Sequence, residues 1–526
     1  MSRAWVARSH ADECLDAPKR PGKRMLNNVR MVTLITILAQ VAAFVRTAIM
    51  AYIFGASSVV DAYNLALVVP VMIAGIVGGW VQSGFVGRYM ERLTHSAEAA
   101  AQFRTAIWQL LLVIGASFAL VMVVSRSLIA GTLVPANTIT TLQLTEGAMA
   151  IAAWTLPLTV VSDYMGLVLN CHGRFGAAAA APVLNAMISA GALWLWPTRD
   201  MDALVMSLLL GGAVQLGTLL LAMRRAQLHF VWEFLRLTDD VKATLKLALP
   251  IMPAVVFSNG TVMIIQMTCA RLGEGAVAIY GYASRLHGAA TQVLIIGIST
   301  VLLPRFAALL ARNESSEIVR LLWRIGRASL MICVFVAAGV GVLGTPVVLT
   351  LLGRGHFDHV LGERVGQAWL LLTLSLFPFG LATFFAKLYQ AKLRPQLLSM
   401  SSLVALIATT ACCLFGYRVS GLSAVLLAPL GAQICVLAFF LWCFRREFGQ
   451  GGLFPRRFES IARCVMWILP SVAVDLVIQH VLPSANSTVP VLFRGAVFTA
   501  LFVASAKLGG GARWVLNTEP ACPSRM

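Results

Sequence analysis

Apolar residues in this chain occur in runs of about twenty, separated by short segments rich in charged residues, glycine, proline or asparagine. A run of about 20 apolar residues crosses the ~30 Å hydrocarbon core of a bilayer as an α-helix. The pattern predicts an all-α polytopic membrane protein, whose short connections leave no room for a separate soluble domain. Fourteen membrane-spanning helices are predicted at 34–54, 61–87, 105–125, 142–170, 178–197, 203–223, 247–270, 276–303, 328–352, 366–391, 397–416, 421–444, 462–482 and 489–506.

The composition agrees with this pattern and excludes a water-soluble globule. Of the 526 residues, 59% are hydrophobic and 12% are charged, whereas soluble domains have roughly 45–50% apolar and about 25% charged residues. The formal charge of +19 would suggest a nucleic-acid partner in a soluble protein. In a membrane protein, basic residues must first be considered as signals of orientation.

The basic residues are distributed very unevenly between the two sides of the predicted membrane. Of the 41 lysines and arginines, 32 lie on the side of the N-terminus and seven on the opposite side. Loops rich in lysine and arginine stay in the cytoplasm, and an even number of spans places both termini on one side. We therefore predict cytoplasmic termini, and we expect no nucleic-acid partner because orientation accounts for most of the positive charge.

The polar ends of the chain are interpreted as tails. Residues 1–33 lack an apolar core before the first span, so no secretory signal is visible. This segment is either a cytoplasmic tail or a region upstream of a true translation start at Met25. Residues 509–526 are predicted to form a second cytoplasmic tail.

Features of the first six spans recur about 218 positions later. Gly55 corresponds to Gly273, and Gln215 corresponds to Gln433. Repeats with an even number of spans run parallel, and two such bundles around a central cavity are a common design of secondary transporters. The alternative is that helix ends of any polytopic protein carry similar residues. The predicted units are an N-lobe at 34–225, a C-lobe at 226–446 and helices 13 and 14 within 447–508.

Two arginines, Arg46 and Arg285, are predicted to lie near the middle of the membrane, one in each lobe. A charge at this depth costs roughly 2.5–3.5 kcal/mol on insertion scales, so such residues face a wet cavity or a partner. Guanidinium groups bind phosphate oxygens through paired hydrogen bonds. The two arginines are therefore candidates for binding a pyrophosphate or another anionic head group, and the alternative is pairing with an acid in the membrane.

Four acidic residues are candidate partners for these arginines. Asp61 lies at the start of the second span, Glu146 near the start of the fourth, Asp163 in the middle of the fourth and Asp475 in the thirteenth. Asp163 and Glu146 are also candidates for an acid that lines the cavity or couples transport to a cation. Asp163 is equally compatible with a cation site and with pairing to an arginine.

No pattern for a metal, a disulfide framework or nucleotide hydrolysis is found in the sequence. The cysteines lack C-x-x-C spacing and are interpreted as small buried side chains, and His356 and His359 are assigned to a solvated loop. No phosphate-binding P-loop or H-E-x-x-H motif is present. We therefore expect no cofactor, with membrane potential or a cation as the candidate source of energy.

A set of short motifs occurs along the chain in a fixed order. They include Phe44-Val45-Arg46, Ile53-Phe54-Gly55, Asp61-Ala62-Tyr63, Gly173-Arg174-Phe175, Tyr282-Ala283-Ser284-Arg285-Leu286 and Leu352-Gly353-Arg354-Gly355-His356-Phe357. In this order they resemble the motifs of the MurJ/MviN lipid II flippase family, within the MOP flippase superfamily, and the likeness covers nearly all of residues 25–510. The resemblance implies fourteen helices in two lobes around a V-shaped cavity in the bacterial cytoplasmic membrane.

This resemblance implies a flippase that moves undecaprenyl-pyrophosphate-linked saccharide across the membrane by alternating access, without enzymatic activity. Arg46 and Arg285 match cavity arginines that bind the pyrophosphate, and Asp61 matches an acid on helix 2 that is assigned to substrate binding. Membrane lipids surround the protein, and a monomer is expected.

The chain also departs from the family pattern. Gln40 replaces a cavity arginine, Thr47 replaces an acid, and Ser284 and Gly288 replace acids beside Arg285. With fewer charges in the cavity, an alternative substrate is the lipid-linked repeat unit of an exopolysaccharide or O-antigen. A drug or cation antiporter of the same superfamily is a further alternative, which predicts a cavity dominated by acids and aromatic residues.

Overall fold

The computed structural model describes residues 23–135, 138–228, 241–243, 246, 249–250, 252–448, 457–481 and 488–511, and these ranges contain helices, turns and loops but no strand. A single π-helical turn at Gln292–Ile296 separates α10 from α11. The helices are α1 (Lys23–Phe54), α2 (Ser58–His95), α3 (Ala97–Val124), α4 (Arg126–Leu133), α5 (Ile139–Ala152), α6 (Thr155–Cys171), α7 (Phe175–Leu195), α8 (Met201–Arg225), α9 (Met252–Ala270), α10 (Ala276–Thr291), α11 (Gly297–Ala311), α12 (Ser315–Leu352), α13 (His359–Thr373), α14 (Leu376–Ala391), α15 (Pro395–Ser420), α16 (Leu422–Phe448), α17 (Arg457–Val481) and α18 (Thr488–Leu508).

The all-α polytopic class is confirmed, but the exact count of fourteen spans is not. Within the described ranges, eleven helices are long and apolar enough to cross a membrane when α13 and α14 are counted together, and twelve if the bent pair α5–α6 also forms one span. The predicted spans at 276–303 and 462–482 are helical without being among these twelve. The first is divided by the π-helical turn, and the second contains Asp475.

Both predicted tails lie mainly outside the described residues. The structure describes nothing before Lys23, where α1 already begins, and nothing after residue 511. The candidate span within α1 begins at Leu34, as the sequence predicted.

Two predicted spans are broken at corresponding positions of the repeat. Span 142–170 divides into α5 and α6, which are bent by 42°, and span 366–391 divides between α13 and α14. Pro157 and Pro378 each follow the break and lack the N–H that would donate to the carbonyl four residues earlier, at Ala153 and Leu374 respectively. The same local cause therefore interrupts the fourth helix of both lobes.

Helix packing also repeats between the two halves. In the first half α7 packs against α1 and α8, and in the second half α15 packs against α9 and α16. These are the first, fifth and sixth spans of each predicted repeat. The repeated packing agrees with two parallel six-helix lobes, while α17 and α18 pack on each other and on α12.

The hydrophobic cores show how the lobes are joined. One core contains side chains of both lobes, among them Met50, Tyr63, Leu204 and Tyr282. We call this the closed end of the bundle. Toward the opposite end, each lobe has its own core: the N-lobe core includes Phe85 and Tyr164, and the C-lobe core includes Phe306 and Phe384.

Candidate functional site

The structure brings the two predicted arginines together at the boundary between the lobes. Arg46 on α1 is 7% exposed, and its Nη2 donates to the Leu204 carbonyl oxygen at 3.3 Å. Its guanidinium carbon lies 5.5 Å from the centre of the Tyr63 ring, and its buried Nε has no hydrogen-bond partner in the described structure. Arg46 is therefore held in place but retains an unused donor.

Arg285 reaches the same place from the other lobe. Its Nη1 donates to Thr47 Oγ1 at 2.6 Å across the lobe boundary, and Thr47 in turn donates to the Ala43 carbonyl oxygen at 3.0 Å. The Tyr63 side chain also interacts with Arg285, and the two guanidinium charges lie close enough to repel each other. We call Arg46, Thr47, Tyr63 and Arg285 the arginine cluster.

This cluster carries positive charge that the described structure does not neutralise. Neither Arg46 nor Arg285 forms an ion pair with a described residue, and Thr47, which contacts Arg285, supplies only a neutral hydroxyl group. Two guanidinium groups in a site of low dielectric repel each other and bind an anion strongly, above all one with several oxygens. The arrangement is suited to a phosphate-containing ligand.

Asp61 has a different environment from the one expected for a group that contacts substrate. It is 3% exposed, and its two oxygens accept hydrogen bonds from the backbone N–H groups of Gly275 and Ala278, each at 2.6 Å. These groups lie at the N-terminus of α10, where a carboxylate is favoured by unpaired N–H groups and by the helix dipole. Asp61 of the N-lobe therefore caps the C-lobe helix that carries Arg285.

The cap of Asp61 is one of several contacts that join the lobes at the closed end. In the opposite direction, Glu274 Oε1 accepts from the Ser58 N–H at the start of α2, at 2.9 Å. The Tyr282 hydroxyl donates to the Gly55 carbonyl oxygen at 2.7 Å. The two lobes thus exchange helix caps and backbone contacts, and we call this set the interlobe clasp.

Backbones of the two lobes approach closely at the same end. The His356 N–H donates to the Tyr52 carbonyl oxygen at 3.0 Å. A Cβ atom at Gly55 would lie 2.6 Å from the His356 carbonyl oxygen, and Gly55 has a φ of +57°. Any larger residue at Gly55 would therefore clash and would strain the backbone.

The remaining predicted acids are not part of the arginine cluster. Glu146 is half-buried on α5, and the structure gives it no hydrogen bond or ion pair with a described residue. Asp163 lines a cavity between α2 and α6. Asp475 pairs with Arg494 on α18: Nε donates to Oδ1 at 3.0 Å and Nη2 donates to Oδ2 at 2.6 Å.

Arg494 is one of the seven basic residues that the sequence placed on the side opposite the N-terminus. It lies within α18 and is 3% exposed. Sequence reasoning assigned no functional role to Thr47, Tyr63 or Tyr282. Thr47 was noted only as a departure from the family pattern, and polar groups of this kind are common in membrane helices.

Comparison with known proteins agrees with this fold. A family model described as "Lipid II flippase MurJ" matches residues 50–493. The "Probable lipid II flippase MurJ" of Rhizobium meliloti (strain 1021) is 27% identical over 367 residues, which are 66% of this chain and 66% of that protein. The "Lipid II flippase MurJ" of Burkholderia cenocepacia is 26% identical over 353 residues, 63% of this chain and 67% of that protein. The aligned part thus spans about two thirds of these relatives.

Solved structures show a similar architecture over most of the chain. A structure titled "Lipid II flippase MurJ, inward closed conformation" superimposes with a TM-score of 0.77 at 16% identity, covering 92% of this chain and 99% of that one. An inward-facing MATE family multidrug transporter of the MOP superfamily gives a TM-score of 0.67 at 15% identity, covering 79% and 97%. At these identities the likeness establishes the shared fold.

Proposed function

Since the chain belongs to the lipid II flippase MurJ family, we propose that it moves a lipid-linked pyrophosphoryl saccharide of the lipid II type across the bacterial cytoplasmic membrane. The arginine cluster is the observation that supports this substrate class most directly. The relatives named above are described as a probable lipid II flippase and a lipid II flippase, which favours this substrate over an exopolysaccharide repeat unit.

The two guanidinium groups are assigned to the pyrophosphate. Each can form paired hydrogen bonds with phosphate oxygens, and a pyrophosphate offers two phosphoryl groups to two arginines. The unused Nε donor of Arg46 and the absence of a neutralising carboxylate in the described cluster favour an anionic ligand. A cation antiporter is disfavoured because a cationic drug would be repelled from this place.

Alternating access follows from the arrangement of the lobes. The interlobe clasp closes one end, which we assign to the outer face because the basic loops mark the other face as cytoplasmic. We propose that the saccharide head group enters from the cytoplasmic side while the prenyl chain remains in lipid. The clasp then opens as the lobes rock, which exposes the arginine cluster to the outside.

Asp61 is assigned to the clasp rather than to direct substrate contact. Both of its oxygens are occupied by N–H groups of α10, so it positions the helix of Arg285. We further propose that the membrane potential contributes to transport, since each charge moved across 100 mV is worth about 2.3 kcal/mol.

The proposed test compares Arg46→Ala and Arg285→Ala with the wild type in proteoliposomes that contain a fluorescent lipid II analogue. Loss of a hydrogen bond to a charged group, about 1.5–3 kcal/mol, should weaken head-group binding roughly 10- to 100-fold and lower flipping correspondingly. Arg364→Ala removes an exposed arginine of α13 and serves as the matched control, with unchanged flipping expected.

Lysine variants sharpen the test. Arg46→Lys and Arg285→Lys keep the charge but lose the planar pair of donors, so we expect partial activity. Full flipping by both alanine variants would disprove the role of the cluster. Flipping of a lipid-linked repeat unit other than lipid II, with lipid II left untouched, would disprove the proposed substrate.

A further inference from the structure

Asp163 lies in a membrane-spanning helix without the partners that neutralise Asp61 and Asp475, and it is exposed where it borders a cavity. It stands on α6, eight residues or about 12 Å from the helix end at Cys171. The structure gives it no hydrogen bond or ion pair with a described residue, whereas Asp61 accepts two backbone N–H groups and Asp475 pairs with Arg494.

The carboxylate of Asp163 faces a cavity of about 380 Å³ between α2 and α6. Thr159 and Thr155 line the same cavity, and their spacing of four residues places all three side chains on one face of α6. The Thr155 hydroxyl donates to the Ala152 carbonyl oxygen at 2.6 Å, which leaves its lone pairs available. One wall of the cavity thus presents a column of oxygen atoms.

The opposite wall is formed by small residues of α2. Gly75, Gly78 and Gly79 lie there together with Pro70. The glycines bring the α2 backbone to the edge of the cavity. Pro70 lacks the N–H that would otherwise donate to the Ala66 carbonyl four residues earlier.

No charged group of the surrounding helices compensates Asp163. No described residue of the neighbouring helices interacts with it electrostatically; these helices are α2, α3, α5, α7 and α8. This includes Glu146 of α5. The other titratable groups of α6, Tyr164 and Cys171, are grouped instead with Tyr89 of α2 and Arg104 of α3. An ionisable residue at this depth typically faces a water-filled cavity and marks an ion or proton path, which agrees with the exposure of Asp163 to the cavity.

The chemistry of the cavity selects a single positive charge. Divalent cations are bound by several carboxylates, and no group of three acidic, histidine or cysteine side chains that could hold a metal is found in the described part of the chain. One carboxylate with hydroxyl oxygens matches a monovalent cation, either Na⁺ or a proton. Both neutralise the same group at the same place.

The cavity is connected directly to the boundary between the lobes. Gly75, which lines it, packs so closely on Asn259 of α9 that a Cβ atom would lie 3.2 Å from Nδ2. Gly79 is equally close to Val255, at 3.1 Å from Cγ2. The wall that faces Asp163 is therefore also a contact surface with the C-lobe, so a change in the cavity is transmitted to interlobe packing.

We propose that the cavity of Asp163 binds one monovalent cation, Na⁺ or a proton, and that its occupancy biases the packing of α2 against α9 during transport. The coupling part rests on the proposed function, because it requires a transport cycle. Binding itself does not depend on flipping and can be measured separately.

Binding is tested by the thermal stability of the purified full-length protein in detergent. The Tm is measured across a range of Na⁺ concentrations, with K⁺ maintaining ionic strength, and across a range of pH without Na⁺. If Na⁺ binds, the wild-type Tm should rise by a few degrees with Na⁺. If a proton binds, the Tm should fall as rising pH leaves the carboxylate charged. Both responses should be lost in Asp163→Asn and retained in Glu363→Gln, which changes an exposed acid on α13.

Further variants separate the possible results. Thr159→Val should weaken the Na⁺ response and leave the pH response intact, and it is informative even where Asp163→Asn folds poorly. Identical Na⁺ and pH responses in the wild type and Asp163→Asn would overturn the site. Arg46→Ala should lose flipping but keep the ion response, so failure of the flippase function and failure of this site are distinguishable.

In proteoliposomes, an imposed ion gradient should stimulate flipping by the wild type and Glu363→Gln but not by Asp163→Asn.

Discussion

Arginines inside the helix bundle occur in two contrasting settings in this molecule. On α17 and α18, Arg494 and Asp475 form a two-bond pair in which both residues are nearly inaccessible, at 3% and 1% exposure. At the boundary between the lobes, Arg46 and Arg285 lie together without a carboxylate partner in the described structure. The charges of the first pair neutralise each other, whereas the two arginines at the boundary require an anion that the described part of the chain does not provide.

This difference separates structural charges from functional ones. Removing one partner of a buried ion pair leaves the other unpaired, which is strongly destabilising. Arg46 and Arg285 repel each other and have no carboxylate partner among the described residues. Replacing either of them should therefore affect ligand binding more than folding. The same criterion distinguishes Asp475, which is paired, from Asp163, which faces a cavity unpaired.

The largest expected effect is the loss of stability on breaking the pair in α17 and α18. Arg494→Ala leaves Asp475 buried and charged, which should cost about 3–5 kcal/mol and sharply lower the yield of folded protein and its Tm. Replacing both residues together, as Asp475→Leu with Arg494→Met, should recover most of this stability because no charge remains unpaired. A double variant as unstable as Arg494→Ala would contradict the explanation, and Arg46→Ala should be much less destabilising in the same assay.

A smaller effect is expected for Asp61, whose charge is compensated by backbone N–H groups. Asp61→Asn keeps the size of the side chain but loses the charge and one acceptor oxygen, so capping of α10 should weaken by about 1–2 kcal/mol. Hydrogen–deuterium exchange of the Gly275 and Ala278 amides should then accelerate roughly 5- to 30-fold. Glu274→Gln changes an exposed cap and should have a weaker effect on the Ser58 amide. Unchanged exchange in Asp61→Asn would show that the cap does not stabilise the clasp.

The sequence predicted the positions of helices well because a membrane-spanning helix is encoded in a single local run of apolar residues. It missed the breaks before Pro157 and Pro378, since a proline in an apolar run is also compatible with a kinked continuous span. The π-helical turn after α10 was missed as well.

The candidate site was predicted in part. Arg46 and Arg285 were identifiable because charge inside a span is rare and needs a reason. The contact of Arg285 with Thr47 joins residues 238 positions apart, and the cap of Asp61 on Gly275 joins residues 214 positions apart. Contacts at such separation depend on how the lobes dock, which the order of residues along the chain does not reveal.

The smallest effect is expected at a partly exposed ion pair, which completes the comparison of charge settings. Glu447 at the end of α16 accepts hydrogen bonds from Lys392, at 2.7 Å, and from Arg394. The Arg394 side chain is 56% exposed and the Glu447 side chain is 20% exposed, so water and salt reach the pair, and surface pairs contribute about 0–1 kcal/mol and are screened by salt. Glu447→Gln should therefore lower the Tm only slightly at low ionic strength and not at high ionic strength. A decrease in Tm as large as that of Arg494→Ala would contradict the explanation. The contribution of an ion pair to stability would then not depend on its burial, because a pair open to water would matter as much as the one enclosed by α17 and α18.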